Sequence, residues 1–290
     1  MPFSAVIPTR KRYYQTLIAI KTLVPHSGLV SEIIVVVDDE ACEVEKYQEV
    51  FHDAGLLDII VIPNAFTRGA QGARATGLQA STEELVYFLD SDDMAVVDGI
   101  ALGLKTLLAD PEIGLVYSNV LLNGRASNFL ELNGDCFLDV LKNLSLCPFS
   151  GMMIRKSKLD INSLSLELPA WQDDDFCLVL SRLSLVRFID LPAARMNASI
   201  DSISRSKRKQ FLGLDMLLSK WEKDIIYQLG YHYYFAWKIR KFALLLESIE
   251  QNWESDKRLP LLSILRLLIF RLPAKICRLS VQRFFDRIYA

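Results

Sequence analysis

The stretch Leu85-Val-Tyr-Phe-Leu-Asp-Ser-Asp-Asp93 carries the fold. An apolar run rich in β-branched and aromatic residues, short enough for a buried strand, stops in three carboxylates: Asp90, Asp92 and Asp93. A strand ending this way sets acids at the edge of a sheet, where open α/β folds bind ligands. Acids at that spacing repel one another unless a cation sits between them. Oxygen ligands of this kind suit Mg²⁺ or Mn²⁺, ions usually held through one or two carboxylates plus substrate phosphates. The plainer alternative is a solvated acidic turn.

Outward from this point, strand-like and helical runs alternate. Phe3–Thr9, Glu32–Asp38, Asp58–Pro63 and Gly114–Leu122 read as strands beside Leu85–Asp90. Tyr13–Val24, Glu43–Ala54, Gly72–Ala80 and Val96–Ala109 have helical length. Such alternation implies an α/β fold with a mostly parallel central sheet flanked by helices. The segment 123–192 is less regular and holds one further strand-like run, Val186–Asp190. From Ser204 the pattern is helical, with Phe211, Leu214, Leu217, Leu218 and Trp221 at helical spacing. The expected division is a catalytic domain over 1–225 and a helical, basic tail over 226–290.

The composition narrows the function. The chain has 290 residues and a hydrophobic fraction of 51%, enough for a substantial core. Its net charge of −2 argues against a nucleic-acid partner. Five scattered cysteines without a CxxC pair argue against zinc and for a reducing compartment. The N-terminus lacks the basic and apolar regions of a signal peptide, and no run of 18 uncharged apolar residues occurs, so a cytoplasmic location is expected.

Four loops converge at the carboxyl ends of the expected strands. They are Ile7-Pro-Thr-Arg-Lys-Arg12, Val37-Asp-Asp39, Thr67-Arg-Gly-Ala-Gln-Gly-Ala-Arg-Ala-Thr-Gly77 and Asp90–Asp93. Together they offer a basic first loop around Pro8, Thr9 and Arg10, acids for a base or ribose, and a Gly-rich helix start with Arg68 and Arg74. A nucleoside diphosphate needs such a set: hydrogen bonds for base and sugar, positive charge for phosphates. Each part has a structural alternative. Asp38 and Asp39 can cap the next helix. Gly69–Arg74 is neither G-x-G-x-x-G nor a P-loop and can be a tight loop entering a helix.

In this order the loops resemble the inverting family 2 glycosyltransferases with the GT-A fold. The resemblance runs through Ala5-Val-Ile-Pro-Thr-Arg-Lys-Arg12, Glu32-Ile-Ile-Val-Val-Val-Asp-Asp39, Gly72-Ala-Arg-Ala-Thr-Gly-Leu78 and Val86-Tyr-Phe-Leu-Asp-Ser-Asp-Asp93. It continues in Trp171-Gln-Asp-Asp-Asp-Phe176 and Asp201-Ser-Ile-Ser-Arg-Ser206, and covers roughly residues 3–225. It implies a nucleotide-sugar donor, most readily a UDP-sugar, and a saccharide or lipid-linked acceptor in a bacterial-type envelope glycan pathway. It also implies Mn²⁺ or Mg²⁺. By the same resemblance Thr9 and Asp39 contact the base, Asp38 shapes their loop, and Arg74 lies near base or diphosphate. Asp90 serves the ribose or metal side, Asp92 and Asp93 the metal, and Asp173 is the general base.

The sequence departs from the family pattern at three places. Glu40 stands for a Gly, Gln172 for a Glu, and no His follows the last core strand, where Asn197 lies. A sugar nucleotidyltransferase is the enzyme alternative, disfavoured because the first loop lacks glycine. A non-catalytic scaffold in a glycan-assembly complex is the other.

Asp173, Asp174 and Asp175 are clustered, so mutual repulsion raises at least one of them toward a pKa useful to a base; helix N-terminal acids are the alternative. The tail supplies the last expectation. Lys257–Ala290 holds eight Lys/Arg and one acid among Leu, Ile, Val and Phe. That pattern fits an anionic membrane face, on the cytoplasmic side of the inner membrane, or packing on the catalytic domain or on a second copy in a homodimer.

Overall fold

Seven consecutive buried residues, Phe3–Thr9, form the first strand, and their continuous burial requires cover on both sheet faces. The computed structural model describes residues 2–26, 28–40, 42–144, 146–196 and 206–255. In chain order its elements begin β1 (Phe3–Thr9), α1 (Tyr13–Leu23), β2 (Val30–Val37), α2 (Cys42–Asp53), β3 (Ile60–Pro63) and α3 (Ala70–Ala80). Next come β4 (Leu85–Phe88), β5 (Met94–Ala95), α4 (Val97–Ala109), β6 (Ile113–Leu122), β7 (Arg125–Ala126) and β8 (Asn133–Gly134). The chain continues through α5 (Phe137–Asn143), β9 (Met152–Arg155), α6 (Gln172–Leu183), β10 (Leu185–Met196), α7 (Lys207–Asp224) and α8 (Tyr231–Ser255).

The sheet runs β3-β2-β1-β4-β9-β6-β10-β5. The pairs β3–β2, β2–β1, β1–β4 and β6–β10 are parallel. β9 lies antiparallel between β4 and β6, so the sheet is mixed rather than uniformly parallel. One face buries Ala5, Ile7, Val35 and Tyr87 in a cluster that includes Ile20 of α1, Tyr47 and Phe51 of α2, and Leu104 of α4. Ile34 and Val36 point the other way, against Ala73 of α3. The alternation of period two along β1 and β2 thus feeds two separate apolar layers. Gly77 lets α3 lie close on β1: a Cβ there would come 2.3 Å from Val6 Cγ1.

The chain divides into two compact units, Met1–Glu167 with Asp173–Ser199, and Leu168–Gln172 with Ile200–Ala290. The expected division at residue 225 does not coincide with this one. α7 belongs with α8, because the two pack as an antiparallel pair. Lys207 near the start of α7 pairs with Glu247 near the end of α8 at 3.4 Å, and Asp215 pairs with Lys241 at 2.5 Å. Trp171 donates its indole N–H to Gln210 O at 2.9 Å within the same unit. The segments 197–205 and 256–290, with Asn197, most of Asp201–Ser206 and the basic tail, lie outside the described residues.

Candidate active site

β1, β2 and β4 are parallel, so their carboxyl ends meet on one edge, and the loops that follow them build the site. After β2, Asp38 is buried, and its Oδ1 accepts from Asn64 Nδ2 at 2.8 Å and from Gly69 N at 3.0 Å. Asp38 therefore ties the β2 end to the Gly-rich loop. Gly69 has φ +137°, a backbone state that side chains rarely adopt, and its amide faces Asp38 as the loop enters α3.

Asp39 differs. Its side chain is only 2% exposed, and Arg68 Nη2 reaches its Oδ1 at 3.3 Å. Its other oxygen, Oδ2, is buried without a hydrogen-bond partner. A buried carboxylate oxygen left in that state is costly, and it marks a place built to accept a hydrogen from something else.

The first loop is held from inside. Pro8 and Thr9 are buried, and the Thr9 hydroxyl lies 2.7 Å from Thr16 Oγ1 and 3.0 Å from Tyr47 Oη. Tyr47 also accepts from Arg12 N at 2.9 Å. The resemblance implies Thr9 at the base; its hydroxyl here holds the loop's shape. Arg10 is exposed at the strand end.

The acidic turn divides its three carboxylates. β4 ends at Phe88, so the acids stand in a turn closed by Asp93 N to Asp90 O at 3.0 Å. Ser150, in the single helical turn Phe149–Gly151, clasps that turn. Its hydroxyl accepts from Asp90 N at 3.0 Å and donates to Asp93 Oδ2 at 2.6 Å. Asp93, expected at the metal, is 3% exposed and braces the turn from within. Tyr87 Oη donates to Ser150 O and Ala193 O, and burial, with Asp93 and Asp90 nearby, pushes its pKa up and keeps it a donor.

Asp90 Oδ1 takes Arg74 Nη2 at 2.5 Å, and Asp92 Oδ2 takes Arg12 Nη1 at 2.8 Å. Among the described residues no three His, Cys, Asp or Glu side chains gather as a metal cluster. The smaller set still fits a divalent ion: Asp90 and Asp92 are two carboxylates at a strand end, enough for an ion that completes its shell with phosphate oxygens. Asp92 already attracts a cation, the guanidinium of Arg12.

Arg74, 5% exposed, is gripped on both sides. One side is Asp90; on the other its Cζ lies 3.6 Å from the centroid of the Phe149 ring. Phe149 in turn meets Phe88 of β4 and Phe176 of α6 edge-on, at 5.5 Å and 5.2 Å between centroids.

At the start of α6, Asp173 is half-buried, while Asp174 and Asp175 are fully buried. Asp175 Oδ2 accepts from Ser165 N at 2.8 Å, a structural role. Part of Asp173 reaches solvent, yet packed protein surrounds it closely enough that burial dominates and raises its pKa. The charge of Arg74 and the helix amides oppose this, and Asp90 adds to it. The three expected charges Arg74, Asp90 and Asp173 therefore share one neighbourhood. Sequence reasoning missed Tyr47, Phe149 and Ser150. They carry no charge or motif, and their roles rest on contacts as far as 75 residues away in sequence.

Residues 4–159 match the family described as glycosyl transferase family 2. The chain belongs to glycosyl transferase family 2. No curated protein sequence matches it significantly. Among solved structures, S. aureus TarS 1-349 in complex with UDP-GlcNAc shares 17% identity and a TM-score of 0.58, over 91% of this chain and 76% of that one. Glucosyl-3-phosphoglycerate synthase from Mycobacterium tuberculosis, in complex with Mn²⁺, UDP and glucosyl-3-phosphoglycerate, shares 21% identity and a TM-score of 0.51. That match covers 76% of this chain and 79% of that one. Both likenesses show the GT-A fold. The family 2 chain spans 44% of the longer TarS chain.

Proposed function

We propose that this family 2 glycosyltransferase is an inverting enzyme that moves a sugar from a UDP-sugar to a hydroxyl of a saccharide or lipid-linked acceptor. The observation that carries this reading is the buried, unpartnered Oδ2 of Asp39. It accepts a ring N–H, which uracil has and neutral adenine and cytosine lack. Guanine also carries a ring N–H, so GDP is the competing nucleotide in the test below. TarS with UDP-GlcNAc and the mycobacterial synthase with UDP support the same donor class.

The chemistry follows from the residues around Asp90. Asp173 takes the proton of the acceptor hydroxyl, whose oxygen attacks the anomeric carbon. The bond from that carbon to the diphosphate oxygen breaks on the opposite face, and the electron pair leaves with UDP. Arg74, beside Asp90, would oppose the negative charge that grows on the diphosphate. Asp90 and Asp92 would hold a divalent ion, which supplies further positive charge to the leaving group.

Calorimetry with UDP, GDP, ADP and CDP tests the donor. UDP should bind best, and Asp39→Asn should weaken it roughly 10–100-fold, because the amide presents a donor or a weaker acceptor to the base N–H. Equal affinity of the variant for UDP, or a preference for ADP, would overturn the reading.

A further inference from the structure

The antiparallel pair α7–α8 exposes a surface that carries none of the candidate site residues. On α8, Tyr231, Phe235, Phe242 and Ile249 are 72%, 68%, 50% and 41% exposed. At 100° per residue they fall within about 40° of one another, a stripe about 27 Å long. Leu212 and Met216 on α7 are exposed as well, at 42% and 40%. A soluble helix normally turns such a stripe inward; here the inward side is already filled by Tyr233, Ala236, Trp237, Ala243 and Leu244.

The charges beside the stripe share one sign. Arg208, Lys209, Lys220 and Lys223 of α7 are exposed. Among the residues of 206–255 whose exposure is described, no Asp or Glu is classed with them. Asp215 and Glu247 are drawn into ion pairs with Lys241 and Lys207, and Glu222 and Asp224 are part-buried. By count, residues 206–255 carry +2 against −10 for residues 1–205, and a further +6 lies in 256–290, outside the described residues. Aromatic and aliphatic side chains interleaved with cations suit the headgroup region of an anionic bilayer. The same excess charge opposes a second copy of this face, since two like-charged surfaces would meet.

We propose that the exposed face of α7 and α8 seats this protein on a lipid bilayer bearing anionic headgroups. Tyr231, Phe235 and Phe242 enter the interface, and Arg208, Lys209, Lys220 and Lys223 meet the headgroups. No residue of the proposed donor site belongs to the unit that carries this face, so the proposal stands or falls independently of the UDP reading.

The test is co-sedimentation of the full chain with vesicles of phosphatidylcholine, alone or with about one third phosphatidylglycerol. Wild type should bind the anionic vesicles, release as salt rises, and ignore pure phosphatidylcholine. Tyr231→Ser/Phe235→Ser and Lys220→Glu/Lys223→Glu should each weaken binding on the order of tenfold or more. Both should keep wild-type UDP affinity and thermal melting, because every substituted side chain is exposed. Wild type that ignores anionic vesicles at low salt overturns the proposal. So does an aromatic variant that binds them undiminished, the pattern of a soluble polyanion site or of attachment elsewhere. A third overturning result is a variant that turns a dimer into a monomer in sedimentation velocity without changing vesicle binding.

Discussion

The guanidinium carbon of Arg74 lies 3.6 Å from the centroid of the Phe149 ring, on a cation whose Nη2 binds Asp90 at 2.5 Å. A desolvated stack of this kind contributes about 2 kcal/mol. It fixes Arg74, a buried cation whose charge acts on both Asp90 and Asp173. Phe149 also touches Phe88 on β4 and Phe176 on α6, so one ring links the strand that leads to the acids with the helix that carries Asp173.

A double-mutant cycle isolates that link. Phe149→Leu keeps the site apolar but removes the stack, and should lower turnover roughly 10-fold. In an Arg74→Met background the same change should cost less than about 2-fold, because the partner is gone. Steady-state kinetics on the four proteins gives the coupling. Strictly additive losses would mean that Phe149 acts through packing alone.

Ser150 makes the second expectation thermodynamic. Its hydroxyl serves Asp90 N and Asp93 Oδ2 at once, inside the protein. Ser150→Ala removes a hydrogen bond to a buried carboxylate, which costs about 1.5–3 kcal/mol. Urea unfolding should show this as a lower midpoint with an unchanged slope. A midpoint equal to wild type would show that other groups satisfy Asp93.

Asp92 and Arg12 predict opposite signs. Asp92→Asn removes a carboxylate from the proposed ion site and should weaken Mn²⁺-dependent UDP binding. Arg12→Gln removes the guanidinium 2.8 Å from the same carboxylate and should strengthen Mn²⁺ binding in the absence of nucleotide, by a few-fold for a half-exposed pair. Calorimetry with Mn²⁺ alone and with UDP measures both. Indifference of UDP binding to EDTA in wild type would remove the metal from Asp92.

Much of the first unit was legible in the sequence because its signals are local. Phe3–Thr9 was read with the bounds it has, and α1, α2, α3 and α4 fall within two residues of their expected limits. β9 was not, since four residues from Met152 to Arg155 carry no period, and only their place between β4 and β6 makes them a strand. Charged residues of the site could be nominated one by one. What could not be read is which of them face inward: Asp93 and Asp92 are adjacent, yet Ser150, 57 residues further on, holds Asp93 inside. Asp39 and Asp38 are likewise neighbours, and only the contacts of Asn64 and Gly69 show that Asp38 is the brace and Asp39 carries the open oxygen.

Asp173 joins activity to stability through one proton. Burial raises its pKa above the ordinary carboxylate value, against the pull of Arg74. As a base it works only when ionised, so turnover should rise with pH through that raised value and then level. Folding shows the reverse sense. A carboxyl whose pKa is higher folded than unfolded binds its proton more tightly in the native state. Its contribution to stability is complete below the unfolded pKa and is lost as pH rises through the folded one. Asp173→Asn removes the titration, so at neutral pH the variant should be more stable than wild type, with the difference closing in acid. It should also lose roughly 10²–10⁴-fold in turnover while UDP affinity stays near wild type. Thermal melts across pH and rate profiles on the two proteins check both halves. A variant that is less stable at neutral pH, or that retains wild-type turnover while Asp175→Asn abolishes it, would move the base away from Asp173.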